Sequence, residues 1–387
     1  MRTMESNVKS FNIYIFLNRL ELWLPIYILF LMSKGFSLTQ IAVLDAVWYI
    51  STFIFEVPTG AVTDRYGKKI SMLISVLCQS ISFFVLAFSN SFVFISVSYA
   101  VWGFASAFET GTYSAFLYDS LKQINKEDDY RKVIGRVTTL TILASALGSI
   151  MAGYLGGISL ALPILITASI ALLLCPMVLL FVEPEVQDTR EPTYYIHIKE
   201  SMTFILKHRV VALLLLYQTI IGTAVWALQI FYQPLLNSFG IAVENIGICY
   251  FIFKLCSAGG AHFSDSIYKI LDGKSLYVIP AFFVGSVLCL GLLVDPLVIG
   301  FILCIFFISG FYSPILNSLL NQNLPSGKRA TIISFGSILG CVTLSIVNPL
   351  LGKIADTYSL QTTFQVLGLG TLFFLVLILI FLKKEAI

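Results

Sequence analysis

Residues 60–69, Gly-Ala-Val-Thr-Asp-Arg-Tyr-Gly-Lys-Lys, form a short basic segment that connects the end of one long apolar stretch, 38–63, to the start of another, 70–89. Each stretch is long enough for an α-helix to cross a hydrocarbon layer of ~30 Å, which takes about 20 residues. Gly60 permits close helix contact, and Gly67 permits a tight turn with positive φ. The segment therefore predicts a tight connection between two membrane-spanning helices, with its cations in the aqueous interface.

Apolar stretches of similar length recur along the whole chain. The sequence is 58% hydrophobic and only 12% charged, with a mean hydropathy of +0.90, whereas a soluble domain carries roughly a quarter charged residues. Twelve such stretches, numbered here as spans 1 to 12, cover 10–32, 38–63, 70–89, 91–120, 132–155, 159–182, 209–236, 243–265, 275–294, 297–321, 329–352 and 361–382. The predicted fold class is an all-α membrane protein with twelve transmembrane helices in two six-helix bundles.

The positive charges predict the orientation, because loops on the cytoplasmic side of a membrane carry an excess of Lys and Arg. With the N-terminus inside, twenty Lys and Arg residues fall on the inner side, whereas Lys34 and Lys353 alone fall on the outer side. We therefore expect a multi-pass protein of the cell membrane whose N- and C-termini are both cytoplasmic.

The longest connection divides six spans from six. We expect an N-terminal bundle at 1–183, a cytoplasmic linker at 184–208 and a C-terminal bundle at 209–387. A faint repeat supports two related halves: Asp64 and Asp265, which are 201 residues apart, each precede a Lys by four residues. Duplicated halves are a common construction among transporters.

The sequence lacks the motifs of several common kinds of metal, nucleotide and catalytic site. The seven cysteines lie in apolar stretches without Cys-x-x-Cys or Cys/His spacing, so neither a metal site nor a disulfide framework is expected. The chain shows no phosphate-binding Gly-x-x-x-x-Gly-Lys loop and no Gly-x-Ser-x-Gly or His-Glu-x-x-His motif. The net charge of +3 is too small to indicate a nucleic-acid partner. We expect no catalytic residues, no cofactor and no enzymatic activity.

The segment 60–69 resembles motif A of the major facilitator superfamily, Gly-x-x-x-Asp-Arg-x-Gly-Arg-Lys, which occupies the same loop in that family. Three other stretches resemble the corresponding sequences of this superfamily, especially of its bacterial drug exporters: 56–60, 118–121 and 329–331. The resemblance implies a monomeric transporter with small-molecule substrates, and a loop that latches the two halves on the inner side. It implies that Asp64 meets the start of span 11 near 328–331 and that Arg65 meets Asp119. The implied latch residues are Gly60, Asp64, Arg65, Gly67, Lys68, Lys69 and Asp119.

Span 5 is similar to the antiporter motif C of this family. The similar residues, at the end of this span and directly after it, are Gly148, Ala152, Gly153, Gly156 and Gly157, with Gly153 standing where the family has proline. The alternative interpretation is ordinary packing of small residues between membrane helices. Span 4 lacks the arginine that is usual in proton antiporters of the family.

Spans 1, 4, 7 and 10 line the central cavity in the family that the chain resembles. In this sequence the four spans carry polar and aromatic residues at steps of three and four, which places them on one helical face. The substrate-cavity candidates are Arg19, Trp23, Tyr27, Trp102, Ser106, Tyr113, Gln218, Trp226, Gln229, Gln233, Phe311 and Asn317. Alternatively, buried amides and tyrosines bond neighbouring helices, at about 1 kcal/mol each.

Charged residues within spans cost free energy unless they are paired or hydrated. We expect Arg19 to pair with Glu109 or with Glu56. On an unbroken helix Glu21 lies about 200° from Arg19, so these two would not share a partner. Because a buried acid can bind and release a proton near neutral pH, the candidates for proton coupling are, in order, Glu109, Glu21 and Asp45, with Glu56 as a further candidate.

The leading functional hypothesis is export of a small amphipathic or aromatic molecule by alternating access and proton antiport. The lipid bilayer is the expected environment, and a proton and a small molecule are the expected partners. Uptake of a nutrient by proton symport or facilitated diffusion is the first alternative. A membrane receptor or lipid-modifying enzyme that transports nothing is the second.

Overall fold

A computed structural model describes residues 3–185, 202–205, 207–271, 274–324 and 329–385. All regular structure within these ranges is helical. The helices are α1 Met4–Asn18, α2 Tyr27–Ser33, α3 Leu38–Tyr66, α4 Lys68–Phe88, α5 Phe92–Glu109, α6 Thr112–Lys122, α7 Tyr130–Ile158, α8 Ala161–Leu180, α9 Arg209–Ser238, α10 Val243–His262, α11 Ser264–Leu271, α12 Ser275–Leu292, α13 Val298–Gln322, α14 Arg329–Thr357 and α15 Leu360–Glu385.

Ten helical segments among the described residues are long and apolar enough to cross a membrane. The pair α10 and α11, which is bent by 55°, provides an eleventh crossing if it forms one span. The remaining predicted span, span 1 at 10–32, is divided between α1 and α2. The chain is therefore an all-helical membrane protein with the predicted twelve-span architecture.

Span 1 is interrupted where the sequence predicts one helix. Helix α1 ends at Asn18, and α2 begins only at Tyr27. Pro25 disfavours helical conformation in the residue before it, and Glu21 has a positive φ of 45°, which breaks the helical path. The predicted angular separation of Arg19 and Glu21 is wrong for this reason, since it assumed a continuous helix.

Span 4 is also interrupted, between α5 and α6. Helix α5 ends at Glu109, and Gly111 adopts a left-handed conformation with φ 75° before α6 starts at Thr112. Glycine is the residue that reaches this conformation without steric cost. Glu109 and Arg19 thus both lie at the carboxyl ends of helices, because Arg19 is the residue that follows α1.

The chain forms two compact units. Unit 1 comprises the described residues within 1–36, 44–188 and 242–251, and unit 2 comprises those within 37–43, 189–241 and 252–387. The first residues of α3 therefore belong to unit 2, and the first residues of α10 belong to unit 1. The predicted linker, 184–208, falls largely on residues 186–201, which lie outside the described part of the chain.

Each unit has its own apolar core. In unit 1, α4 packs against α5 and α8, and a cluster that includes Phe11, Tyr14, Phe116 and Phe181 is buried between helices. In unit 2, α12 packs against α15, and α9 packs against α13, α14 and α15. These cores hold the helices that carry the polar side chains described next.

Asp356 fixes the start of α3 within unit 2. Its carboxylate accepts the backbone N–H groups of Leu38 at 3.0 Å and Thr39 at 2.8 Å, as well as the Thr39 hydroxyl at 2.6 Å. An acid at a helix N-terminus satisfies N–H groups that have no partner within the helix and faces the positive end of the helix dipole.

Candidate functional site

Six aromatic side chains of unit 1 form a continuous group, which we name the ring cluster. Its members are Trp23, Tyr27, Trp48, Phe83, Tyr99 and Trp102. The ring centroid of Trp102 lies 4.7 Å from that of Trp23 and 5.3 Å from that of Trp48. Tyr27 and Tyr99 are buried, whereas the three tryptophans keep part of their surface exposed. The cluster therefore combines buried tyrosines with partly exposed tryptophans, which could contact a ring-bearing ligand.

Close packing of α5 on α3 positions the tryptophans. A Cβ atom on Gly103 would lie 2.7 Å from the carbonyl oxygen of Trp48, so only glycine permits this approach. The Ser51 hydroxyl donates to the carbonyl of Ala100 at 2.6 Å, and the indole N–H of Trp48 donates to the Ser106 hydroxyl at 3.2 Å. These bonds hold Trp48 against the α5 face that carries Trp102.

Arg19 forms the first of the two predicted ion pairs. Its guanidinium lies 2.8 Å from a carboxylate oxygen of Glu109 and 3.5 Å from one of Glu21. The Ser75 hydroxyl approaches the other oxygen of Glu109 at 3.4 Å. The guanidinium also lies 5.8 Å from the ring centroid of Tyr113. Glu21 and Glu109 therefore share one cation, which the break in span 1 makes possible.

Asp45 lies beside the ring cluster without a cation. Its carboxylate accepts the Tyr27 hydroxyl at 3.1 Å, and the Tyr27 ring lies 5.2 Å from the Trp23 ring. Among the residues that the structure describes, no Lys or Arg forms an ion pair with Asp45. The hydroxyl of Tyr27 thus joins the acid to the ring cluster.

Tyr113 lies on the other side of the Arg19 group. Its hydroxyl is 2.8 Å from the hydroxyl of Tyr14, and its ring meets the Phe11 ring edge-on at 5.7 Å. This residue links the ion pair to the apolar core of unit 1. Glu56, the second acid predicted as a partner for Arg19, is partly buried on α3.

The basic loop between α3 and α4 is held by an acid that the sequence prediction omitted. The carboxylate of Glu183 accepts the backbone N–H groups of Lys68 and Lys69, each at 2.7 Å. Gly67 has φ 95°, and a Cβ at this position would lie 2.6–2.8 Å from the Glu183 carboxylate. Glycine at this position therefore satisfies two demands, a positive φ and space for an acid that caps α4.

The cations of this loop have partners that differ from those predicted. Asp119 pairs with Lys68 at 2.5 Å, whereas the Arg65 guanidinium lies 5.3 Å from the Tyr66 ring centroid. The predicted Arg65–Asp119 pair is therefore replaced by Lys68–Asp119. Lys69 donates to the carbonyl of Leu179 at 2.9 Å.

The two remaining motif residues, Gly60 and Asp64, are exposed. Apart from its own helix, no described atom lies within 4 Å of a Cβ built on Gly60, so no described helix makes the predicted close contact at this glycine. The predicted contact of Asp64 falls on 328–331, where residue 328 lies outside the described residues.

The glycines of span 5 pack closely within unit 1. A Cβ on Gly148 would overlap the main chain of Leu20, and one on Gly153 would lie 2.6 Å from the carbonyl oxygen of Glu244. Gly156 approaches Val243 in the same way, at 3.0 Å. This geometry supports the packing interpretation of the motif C-like segment.

In unit 2 the predicted cavity residues fall into different environments. Trp226 is 54% exposed, Gln218 and Gln229 are partly buried, and Asn317 is exposed. Gln233 is fully buried because α9 is buried on all sides from Ile230 to Leu236. The prediction that Gln233 lines a cavity is therefore wrong for this structure.

Phe311 is buried and lines a different space. An apolar pocket of about 590 Å³ lies between α10, α11, α12 and α13, and Phe311 forms part of its wall. This residue belongs to that pocket, whereas the prediction placed it beside the polar residues of span 10.

Sequence reasoning missed Trp48, Phe83 and Glu183. Trp48 follows Asp45 by three residues and so lies on the same helical face, which could have identified it. Phe83 lies in an apolar stretch with no distinguishing pattern. Glu183 is separated from Lys68 by 115 residues, so no local pattern connects it to the basic loop.

Comparisons with known proteins identify the family. The family model of the Major Facilitator Superfamily matches residues 11–348. The uncharacterized MFS-type transporter YxaM of Bacillus subtilis is 27% identical over 361 residues, covering 89% of this chain and 88% of that protein. The class H tetracycline resistance protein of Pasteurella multocida is 25% identical over 243 residues, covering 59% and 58%.

A solved structure shares the fold. The crystal structure of the nucleoside transporter NupG superposes with a TM-score of 0.83 over 98% of this chain and 99% of that chain. At 14% sequence identity this similarity concerns the fold alone. The residues of motif A, the helical architecture and the match over most of the sequence lead to one conclusion: the chain belongs to the Major Facilitator Superfamily of membrane transporters.

Proposed function

We propose that the chain exports a small amphipathic or aromatic molecule by alternating access, and that proton antiport drives the export. The observation that carries this proposal is the contact of Asp45 with the ring cluster through Tyr27. Antiport requires that a proton and a substrate influence each other's binding, and this contact joins a candidate acid to a group of partly exposed tryptophans.

The partners of the acids favour Asp45 over Glu109 as the proton carrier. Protonation of Glu109 would remove the nearer carboxylate partner of Arg19, and a membrane-embedded cation without its partner costs free energy. Protonation of Asp45 leaves no cation without its partner, because its described contact is the neutral Tyr27 hydroxyl. We therefore assign the proton to Asp45. In this proposal Arg19 and Glu109 form a static ion pair that orients the interrupted ends of spans 1 and 4.

The relatives support the substrate class. One of them is named for resistance to tetracycline, a molecule of fused rings with polar substituents. A ligand of this kind could pack its rings against the partly exposed tryptophans while its polar groups contact Asp45 or Glu21. Aromatic pairs of this sort contribute about 0.5–1.5 kcal/mol beyond the burial of their surface.

The direction of transport is tested in inside-out membrane vesicles that contain the full chain. A panel of ring-bearing amphiphiles, including tetracycline and ethidium, is added outside while the vesicle interior is made acidic. We expect at least one compound to accumulate, and its accumulation to stop when the pH gradient is collapsed.

The reverse experiment uses right-side-out vesicles with an acidic exterior. Accumulation under this gradient would mean that solute and proton move together, which would contradict export and establish uptake by symport. If the compound equilibrated across the membrane at a rate that depended on neither pH gradient, facilitated diffusion would be established.

A further inference from the structure

Unit 2 contains a second cavity, which is separate from the ring cluster of unit 1. Helices α9, α14 and α15 surround a crevice of about 770 Å³. This volume lies within the ~300–1,000 Å³ that is typical of small-molecule sites. Leu350 and Phe374 on its walls are 57% and 54% exposed. Because these exposed apolar side chains lie on membrane helices, we expect the crevice to open laterally to the lipid.

The polar groups of the crevice occupy two levels. Lys353 lies near the end of α14, together with Thr357 and Tyr358. Thr223 and Thr343 lie at the midpoints of α9 and α14. With a rise of 1.5 Å per residue, the ten residues from Thr343 to Lys353 span about 15 Å along the helix.

Lys353 has no acid that neutralises it among the described residues. The nearby Asp356 directs its carboxylate to the backbone N–H groups of Leu38 and Thr39. No described Asp or Glu forms an ion pair with Lys353. Its ammonium group is therefore available to an anion at this end of the crevice.

The middle of the crevice contains a hydroxyl without a partner. Thr223 is only 6% exposed, and its hydroxyl has no hydrogen-bond partner in the described structure. Thr343, by contrast, donates to the carbonyl of Leu339 at 2.7 Å. A buried hydroxyl is normally satisfied, so the unpaired Thr223 hydroxyl indicates a place for a polar group of a ligand.

From these features we infer that the crevice binds an anionic amphiphile that enters from the lipid bilayer. Its anionic group contacts Lys353, its apolar body lies between α9, α14 and α15, and a hydroxyl partway along that body bonds Thr223. A phospholipid would place its polar groups at the Lys353 level alone and would leave Thr223 unpaired. The small amphiphile with a polar group in its middle is therefore favoured.

A pair of fatty acids that differ by one hydroxyl tests this inference. The full-length protein is reconstituted in phosphatidylcholine nanodiscs, and binding of radiolabelled 12-hydroxystearate, stearate and methyl 12-hydroxystearate is measured. We expect the hydroxy acid to bind about threefold more tightly than stearate, which corresponds to one membrane hydrogen bond. We expect the uncharged ester to bind about fivefold more weakly than the acid, the effect of one lysine near a membrane surface.

Three variants assign the binding to named groups. Lys353→Gln is expected to remove the preference for the acid over the ester. Thr223→Val is expected to remove the preference for the hydroxy acid while stearate binding stays unchanged. Gly370→Leu is expected to abolish binding, because Gly370 lines the crevice and open space surrounds a Cβ at this position.

Matched controls lie outside the crevice. Lys384→Gln removes an exposed cation from the opposite end of α15, and Gly300→Leu adds the same side chain at an exposed glycine of α13 that also has open space around it. If these controls changed binding as much as the crevice variants, or if Gly370→Leu bound the hydroxy acid normally, the inference would be wrong.

Two further measurements distinguish a small amphiphile from a phospholipid and the crevice from the ring cluster. If phosphatidylglycerol in the nanodisc excluded the hydroxy acid, and Gly370→Leu reduced the phosphatidylglycerol that copurifies, the occupant would be a phospholipid and the inference would be overturned. Asp45→Asn is expected to leave binding in the crevice unchanged, so this result does not depend on the proposed transport mechanism.

Discussion

Acidic residues within the membrane spans differ in what surrounds them. Glu109 contacts a guanidinium at 2.8 Å, whereas Asp45 contacts a neutral tyrosine hydroxyl at 3.1 Å. Both carboxylates lie in unit 1, and both are partly buried. The partners of the two carboxylates, a cation for Glu109 and a neutral hydroxyl for Asp45, are therefore the basis for the proposal that Asp45 carries the proton.

The Asp45→Asn variant tests this distinction at the residue scale. The amide keeps the size of the side chain and can still accept the Tyr27 hydroxyl, but it cannot carry a proton. We expect accumulation driven by a pH gradient to fall to the level of vesicles that lack the protein. Gradient-independent exchange of substrate across the membrane should persist, and both are measured by flux of the labelled compound.

Glu56→Gln is the matched control on the same helix, α3. We expect this variant to retain accumulation that depends on the pH gradient. Loss of that accumulation in Glu56→Gln, together with its retention in Asp45→Asn, would contradict the assignment of the proton to Asp45.

The cap on α4 gives a second prediction at this scale. Glu183→Ala removes the carboxylate that accepts two backbone N–H groups, and loss of such a cap typically costs about 0.5–2 kcal/mol. We expect thermal unfolding of the purified protein to shift to lower temperature. Glu185→Ala, at an exposed residue two positions away, should leave the unfolding temperature unchanged, and equal shifts in both variants would argue against a specific cap.

At the scale of elements, spans 1 and 4 differ from the continuous spans because a helix ends within each of them. The breaks at 19–26 and at 110–111 leave the carboxyl ends of α1 and α5 near the Arg19–Glu109 pair. A cation at a helix C-terminus is favourable because of the helix dipole, whereas an anion there is unfavourable. The two helix ends therefore stabilise Arg19, and the guanidinium compensates for the position of Glu109 at the end of α5. The interruptions therefore create the position that the ion pair occupies.

Gly111→Ala tests the break in span 4. A left-handed conformation costs an L-residue roughly 1–2 kcal/mol relative to glycine. Apart from the chain neighbours of Gly111, no described atom lies within 4 Å of a Cβ here, so the cost is conformational. We expect lower thermal stability. Gly135→Ala, within the continuous helix α7, should instead raise stability by about 0.5–1 kcal/mol. A neutral or stabilising Gly111→Ala would mean that the left-handed turn is not required.

At the scale of the whole molecule, topology is the property that the charge distribution predicts. Lys126 lies in the connection between α6 and α7, and Asp295 lies in the connection between α12 and α13. We expect Lys126→Cys to resist a membrane-impermeant maleimide in intact cells and Asp295→Cys to react with it. Both variants should react after the cells are permeabilised. Labelling of the parent chain, which has seven native cysteines, is subtracted as background. Labelling of Lys126→Cys in intact cells would reverse the predicted orientation.

Much of the fold could be predicted from the sequence because its causes are local. A stretch such as 159–182 is a membrane helix on account of its own composition, and the basic loop 60–69 identifies the family by its own residues. The breaks were harder to predict. Pro25 and Gly111 were visible, but both residue types also occur within continuous spans, as Pro58 does in α3.

The sequence alone determined the class of the protein, its approximate spans and the residue types available to a substrate path. Tertiary structure decided which of these residues meet. Arg19 and Glu109 are 90 positions apart, and Glu183 lies 115 positions from Lys68. Hydropathy and local motifs depend on neighbours along the chain, whereas the partner of a charge depends on helix packing, which brings distant positions together.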